Sequence, residues 1–270
     1  MSNPPPTNTS TLPADPSSDQ PPAAGSTPAA RPPGRHLPWA SVFRCTFVVF
    51  VVLVLAGIFL PVFNTTAVKG CQTKSLAQAK QIGLALRLYA GDHDGVYPTG
   101  TNPETGEPIR TANDAFRVLL PTYTQSEALF GNKLSAYQSA AGPDNVIGSG
   151  RTLQPGENVY SYVAGLNDAN NPNAPLLVDG TDGTGRGTFS TDQHARGGAW
   201  KGTKAIVIRL DNSGMLMNLK NTPPAPHIEE TLPDGTRGNP LSPAGLATYQ
   251  LKPDAPLRLL DPAYDPSRKN

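Results

Sequence analysis

Two short segments hold residue types that could do chemistry. In Asp92-His93-Asp94-Gly95 two carboxylates stand one residue apart, as they do in calcium loops. A complete loop needs further oxygens and a Glu beyond the glycine, so a turn held by side-chain hydrogen bonds is the simpler reading. Ser190, Asp192 and His194 are the residue types of a nucleophilic triad. Neighbours along one short segment rarely point at one spot, however, and His194 leads into Arg196-Gly197-Gly198, the composition of a solvated loop. His36, His93 and His227 fall in separate regions and form no ligand pair at i, i+4 spacing. The sequence therefore nominates no catalytic, cofactor-binding or metal-ligating residue, and the expectation is a protein that is not an enzyme and uses no cofactor.

The elements that would position such residues follow from composition and periodicity. With 22 Lys+Arg against 21 Asp+Glu the formal charge is +1, which leaves no global field to draw in nucleic acid. Gly 26 and Pro 30 favour a loop-rich domain with short strands over a helical bundle. Only Cys45 and Cys71 occur, and on a continuous helix they would stand roughly 39 Å apart, which excludes an intrachain disulfide.

Residues 1–38 carry Pro4-Pro5-Pro6, Pro21-Pro22 and Pro32-Pro33 among small polar residues, the composition of a disordered tail. About 24 uncharged residues then separate Arg44 from Lys69, enough for a helix through a hydrocarbon core of about 30 Å. The expectation is a transmembrane helix within residues 39–68 and a single-pass membrane protein whose partner is the lipid bilayer. Arg31, Arg35 and Arg44 on one side match Lys69, Lys74 and Lys80 on the other, so charge does not decide orientation. Val68-Lys69-Gly70-Cys71 has a lipoprotein-like cysteine, against which Lys69 and the long apolar run weigh.

Leu76, Ala79, Ile82, Gly83, Leu86 and Tyr89 recur at three- and four-residue steps, with Gln78, Lys80, Gln81 and Arg87 mostly between them. They predict one apolar stripe on an amphipathic helix that ends at Gly91. A short helix is predicted from Asn113, as its cap, to Leu120. Residues 159–163, 176–178, 205–210 and 215–219 read as strands, the last two joined by a hairpin through Asp211-Asn212-Ser213-Gly214. Residues 221–270, rich in proline, are expected to wrap over the domain or stay loose.

This order of elements resembles the pilins and pseudopilins of type IV pili and type II secretion systems, most closely the prepilin-type, secretion-system-G-like proteins. Lys80-Gln81-Ile82-Gly83-Leu84-Ala85-Leu86 and Tyr89-Ala90-Gly91-Asp92-His93-Asp94-Gly95-Val96-Tyr97-Pro98 look like that family's helix end and exit loop. Leu119-Leu120-Pro121 before Glu127-Ala128-Leu129-Phe130 looks like its second segment. Glu157-Asn158-Val159-Tyr160-Ser161-Tyr162, Pro175-Leu176-Leu177-Val178-Asp179-Gly180 and Trp200-Lys201-Gly202-Thr203-Lys204-Ala205-Ile206-Val207 look like its sheet.

The resemblance implies an α+β fold in which a long N-terminal helix, transmembrane then amphipathic, packs on a small antiparallel sheet. The domain of that kind would cover 69–220, with 221–270 as an extension. It implies a membrane-anchored structural or secretion-associated subunit acting through helix packing and protein contacts, with other pilin-like or secretion-system subunits as partners. It further implies a bacterial inner membrane location, N-terminus cytoplasmic and main domain outside. Some major pseudopilins bind calcium in a late loop, for which Asp168, Asp179 and Asp182 would be the candidates here. The family's processing site has a Glu that residues 39–50 lack, where Arg44 stands instead, so cleavage by prepilin peptidase is not expected. The family's usual Cys after the second segment is replaced by Gly131-Asn132-Lys133. The alternative from another class is a membrane-tethered enzyme or ligand-binding domain with its site in loops 168–200.

Overall fold

The computed structural model describes residues 39–148, 150–251 and 256–269. The Pro-rich tail expected over residues 1–38 lies outside them. Helix α1 (Trp39–Asp92) comes first, and the chain divides into two compact units between Gly57 and Ile58. Each unit is described by itself.

In the first unit the described side chains from Val42 to Gly57 are all exposed, Phe43, Phe47, Phe50 and Leu53 among them. The membrane reading is corrected here. No helix among the described residues is long and apolar enough to cross a membrane. A transmembrane-then-amphipathic helix, a single-pass topology and an inner membrane location with the main domain outside are therefore not supported.

In the second unit the stripe predicted on α1 is buried: Ala79, Ile82, Gly83, Leu86 and Tyr89 all face the core, with Leu76 half-buried beside it. They pack on a five-stranded antiparallel sheet made of β1 (Tyr160–Ala164), β2 (Pro175–Asp179), β3 (Lys204–Arg209), β4 (Gly214–Asn218) and β7 (Arg258–Leu260), in the order β4-β3-β2-β1-β7. Every position of β1 and β2 is buried, so both faces of the sheet's middle are covered. Tyr160 and Tyr162, two residues apart and hence on one face, donate their hydroxyls to the carbonyls of Ser75 on α1 and Pro98 beyond it, at 3.0 and 2.9 Å. A burial that would otherwise strand two phenol groups thus fixes the helix against the sheet.

The edge strand β7 comes from the Pro-rich C-terminal segment, pairing Leu259 with Val163. The same segment forms a small hairpin, β5 (Glu230–Thr231) with β6 (Arg237–Gly238), and a short helix, α3 (Pro243–Thr248). Asp261 accepts hydrogen bonds from Ser161 and Thr181, and Glu230 pairs with Arg209. Among the described residues of 221–270, β7 thus joins the five-stranded sheet, while β5, β6 and α3 lie outside it.

Helix α2 (Ala112–Arg117) is capped two residues earlier than predicted, at Thr111. Thr111 and Asp114 form the reciprocal capping box, which leaves Asn113 inside the helix and fully buried. Gln78, placed by periodicity between the stripe residues, is buried as well, donating to Ala128 O at 2.7 Å.

Gly83 lies where the helix meets the β3–β4 hairpin. A Cβ there would stand 2.5 Å from Asn212 Oδ1 and 2.9 Å from Ile208 Cγ2. Gly83→Leu is expected to destabilise the protein by about 1–3 kcal/mol through overpacking, although it raises helix propensity by up to about 1 kcal/mol. Gln81→Leu, on the exposed face, should change stability little. Thermal melts of the full chain decide it, and a Gly83→Leu protein melting at or above the parent temperature would remove the inferred helix–sheet contact.

Candidate functional site

The residues singled out from sequence are occupied in holding loops. In the Asp92-His93-Asp94-Gly95 turn, Asp92 accepts from the Tyr123 hydroxyl at 3.0 Å, and the His93 ring stacks on Tyr89 with centroids 3.8 Å apart. Asp94 and Gly95 take positive φ of 50° and 78° to reverse the chain, and Gly95 O accepts from Asp168 N at 2.9 Å. A Cβ at Gly95 would collide with the Asp168 carboxylate, which explains glycine at this position.

Asp179, at the end of β2, is buried, and its Oδ2 accepts from Trp200 Nε1 and from the Ile206 amide, each at 2.7 Å. Burial pushes its carboxyl up to about 6, against the opposing pull of those two donors. Asp182 closes a turn by accepting from the Thr184 amide and from the Thr184 and Thr188 hydroxyls. Asp168, Asp179 and Asp182 are not among the carboxylates that the structure gathers into a ligand set among the described residues. Ser190 Oγ accepts from the Asp192 amide and Asp192 Oδ1 from the His194 amide, so these side chains brace successive turns of backbone and do not form a triad. An open groove beside them is lined by Asp182, Ser190, Arg196, Asn221 and Pro226, with the Arg196 guanidinium 5.2 Å from the Tyr264 ring centroid.

What the structure does bring together is Glu127, Asp144 and Glu157, one ligand oxygen from each lying within 4.8 Å of the others. Glu127 opens a single 3-10 turn (Glu127–Phe130) behind Ser126, and its amide is held by Asn145 Oδ1 at 2.8 Å. It is fully buried and Glu157 nearly so. Glu127 Oε1 accepts from the Leu153 amide at 2.7 Å, while Oε2 is buried with no hydrogen-bond partner. Glu157 Oε2 accepts from the Gln154 amide at 2.5 Å. Asp144 accepts from the Val146 amide and from Arg151, the latter at 2.8 Å. Burial holds the Glu127 carboxyl above its ordinary range, the Leu153 amide opposes this, and the Asp144 charge adds to it.

No family model, no curated protein and no solved structure matches this chain. The expectation of a type II secretion or type IV pilin system accordingly finds no support and is not carried further. Sequence reasoning missed the carboxylate cluster because its members come from three separate segments. Glu127 and Glu157 lie in the stretches that resemble the pilin second segment and sheet, and no fixed spacing joins them to Asp144. The chemistry open to the cluster is that of a hard, oxygen-only anionic site: holding a proton between carboxylates or holding a cation.

Proposed function

We propose that this chain is a non-catalytic structural subunit that acts through helix packing and protein contacts. The observation that carries the proposal is the outward face of α1 in the second unit. Its inward stripe is buried on the sheet, yet Leu84 and Leu88, one turn apart on the other side, are each 52% exposed, with exposed Ala77 and Gln81 continuing the face. Two leucines held rigidly side by side offer an apolar strip that a second helix can cover, which suits packing between like subunits. The loops 168–200 support the same reading, since Asp179, Asp182, Ser190 and Asp192 accept from backbone amides through their side chains.

A photo-crosslinking residue at position 84 of the full chain, in the cells that make it, should form an adduct with the corresponding helix of a second copy or of another helical subunit. The same residue at position 234, in the exposed β5–β6 turn, should not. Leu84→Lys combined with Leu88→Lys should abolish association of the subunits without lowering the melting temperature. Equal adducts at both positions, or none at 84, would overturn the proposal.

A further inference from the structure

The Arg196 guanidinium is fixed in place without an anionic partner. It lies over the Tyr264 ring, and that ring stands edge-on to Tyr137 with centroids 5.9 Å apart. Tyr137 is buried and donates its hydroxyl to the Thr181 carbonyl at 2.8 Å, so the platform under the guanidinium is anchored in the core. The guanidinium also abuts Gly183, where a Cβ would stand 2.5 Å from Arg196 Nη1. A Cβ at Gly197, the next residue, would lie 2.9 Å from the Asp182 amide nitrogen, so the loop carrying Arg196 is pressed against the 181–183 turn. Other arginines of the second unit find acceptors. Arg117, Arg151, Arg209 and Arg237 each pair with a carboxylate, and Arg87 donates to the Asp211 carbonyl. Arg196 has no such acceptor among the described residues, since the carboxylate lining the same groove, Asp182, is taken up by Thr184 and Thr188.

The groove arises where two segments part. Phe189 donates its amide to Pro226 O at 2.8 Å, and beyond this tie residues 190–196 and 221–225 form facing walls. The space between them is about 590 Å³, a size that takes a small molecule or the end of a peptide. Pro223, Pro224 and Pro226 make one wall stiff and bare of N–H donors. We propose that this groove binds an organic carboxylate, with the Arg196 guanidinium donating to both of its oxygens. A planar fork held by its face leaves its N–H edge free, the geometry that matches a carboxylate through two parallel hydrogen bonds. The Asp182 charge in the same groove offsets the guanidinium, so a monoanion is favoured over a phosphate dianion. The proline wall suits an uncharged body, poor in acceptors, beside the carboxylate. A peptide C-terminus and a free organic acid both carry this chemistry. The site does not depend on the Leu84 and Leu88 strip of α1, and either can fail while the other stands.

The test follows the Arg196 Nε–H and Thr222 amide resonances of the full chain by NMR near neutral pH. The probes are sodium propionate, N-acetyl-trialanine with a free carboxylate, and the C-terminal amide of the same peptide. Both carboxylates should give saturable shifts, the tighter one half-saturating at about 1 mM or below, and the amide should give none. Tighter binding of the peptide supports a chain end as the source, and equal or tighter binding of propionate supports a free acid. Arg196→Gln should weaken binding, read at the Thr222 amide, about tenfold or more. Arg196→Lys keeps the charge but loses the fork and should weaken it severalfold. Arg196 is exposed, so both variants should melt within about 3 °C of the parent. Arg110→Gln, at an exposed arginine elsewhere, should bind as the parent does. No saturable shift by about 20 mM, or an amide that binds as well as the carboxylate, would overturn the proposal. So would an Arg196→Gln protein that binds as the parent does, or inorganic phosphate that binds more tightly than either carboxylate.

Discussion

Replacing Asn113 by alanine is expected to destabilise the protein by about 3–5 kcal/mol, more than any exposed asparagine could. Asn113 is fully buried, and its amide nitrogen donates to the carbonyls of Leu153 and Gln154 at 2.8 and 3.2 Å. Its side-chain oxygen accepts from Asn158 Nδ2 at 3.1 Å and from the Ala263 amide at 2.8 Å. One side chain thus joins α2, the loop carrying Leu153, the entry to β1 and the C-terminal segment. Alanine leaves the Gln154 carbonyl and the Ala263 amide unpaired, while the Leu153 carbonyl keeps the Arg117 guanidinium at 3.1 Å, and each unpaired buried group costs about 1–3 kcal/mol. Asn158 keeps its bond to the Tyr160 carbonyl at 2.9 Å, so that donor is not stranded and the total stays below four full penalties. Asn102, whose side chain accepts from the Glu104 amide at 2.8 Å in an exposed turn, provides the contrast. Asn102→Ala should cost no more than about 1 kcal/mol, since water replaces the lost acceptor. Denaturant unfolding of the full chain measures both, and similar losses for the two variants would show that Asn113 is not the junction described.

The strands were legible because their signals are local. Tyr160-Ser161-Tyr162-Val163 and Leu176-Leu177-Val178 are rich in residues that fit a pleated buried surface and are bounded by turn formers, and β1 and β2 fall on them. The Asp211–Gly214 hairpin was equally local, and Asn212 takes the positive φ of 65° that its residue type permits. The role of Asn113 was not legible: as a capping residue it has a local explanation, while its actual partners lie up to 150 positions away. Strand β7 has only three residues and no alternation to announce it, and pairing with β1 is what makes it a strand. Gln78 shows the same limit, since a polar residue beside an apolar stripe is buried when a distant carbonyl waits for it. The uncharged run between Arg44 and Lys69 was read from composition, and no helix among the described residues is long and apolar enough to cross a membrane. The convergence of Glu127, Asp144 and Glu157 could be found only in space, because nothing along the chain sets their separation.

Stability is expected to fall as pH rises from about 4 to about 6, and Asp179 should account for a large part of the fall. Its folded-state value stands at about 6 against 3.8 for a free aspartate side chain. A carboxyl raised in this way binds its proton more tightly in the folded state than in the unfolded one. Its contribution is therefore complete below about 4 and is lost as pH climbs through 6. A shift of about two units corresponds to roughly 3 kcal/mol, an upper figure for one buried group. Burial is the dominant cause; the Ile206 amide and the Trp200 indole work against it and keep the shift from growing larger. Asp179→Asn retains an oxygen for both donors and carries no charge, so its stability should be flat over the same window where the parent declines. Subtracting the two denaturation curves at pH 4, 5, 6 and 7 cancels the other carboxylates, Glu127 and Glu157 included. The difference should move in favour of the asparagine variant by about 2–3 kcal/mol between the lowest and highest pH. Parallel curves would show that Asp179 is ionised in the folded protein throughout, its charge held by the two N–H donors alone, and that burial does not govern the junction between β2 and the Trp200 loop.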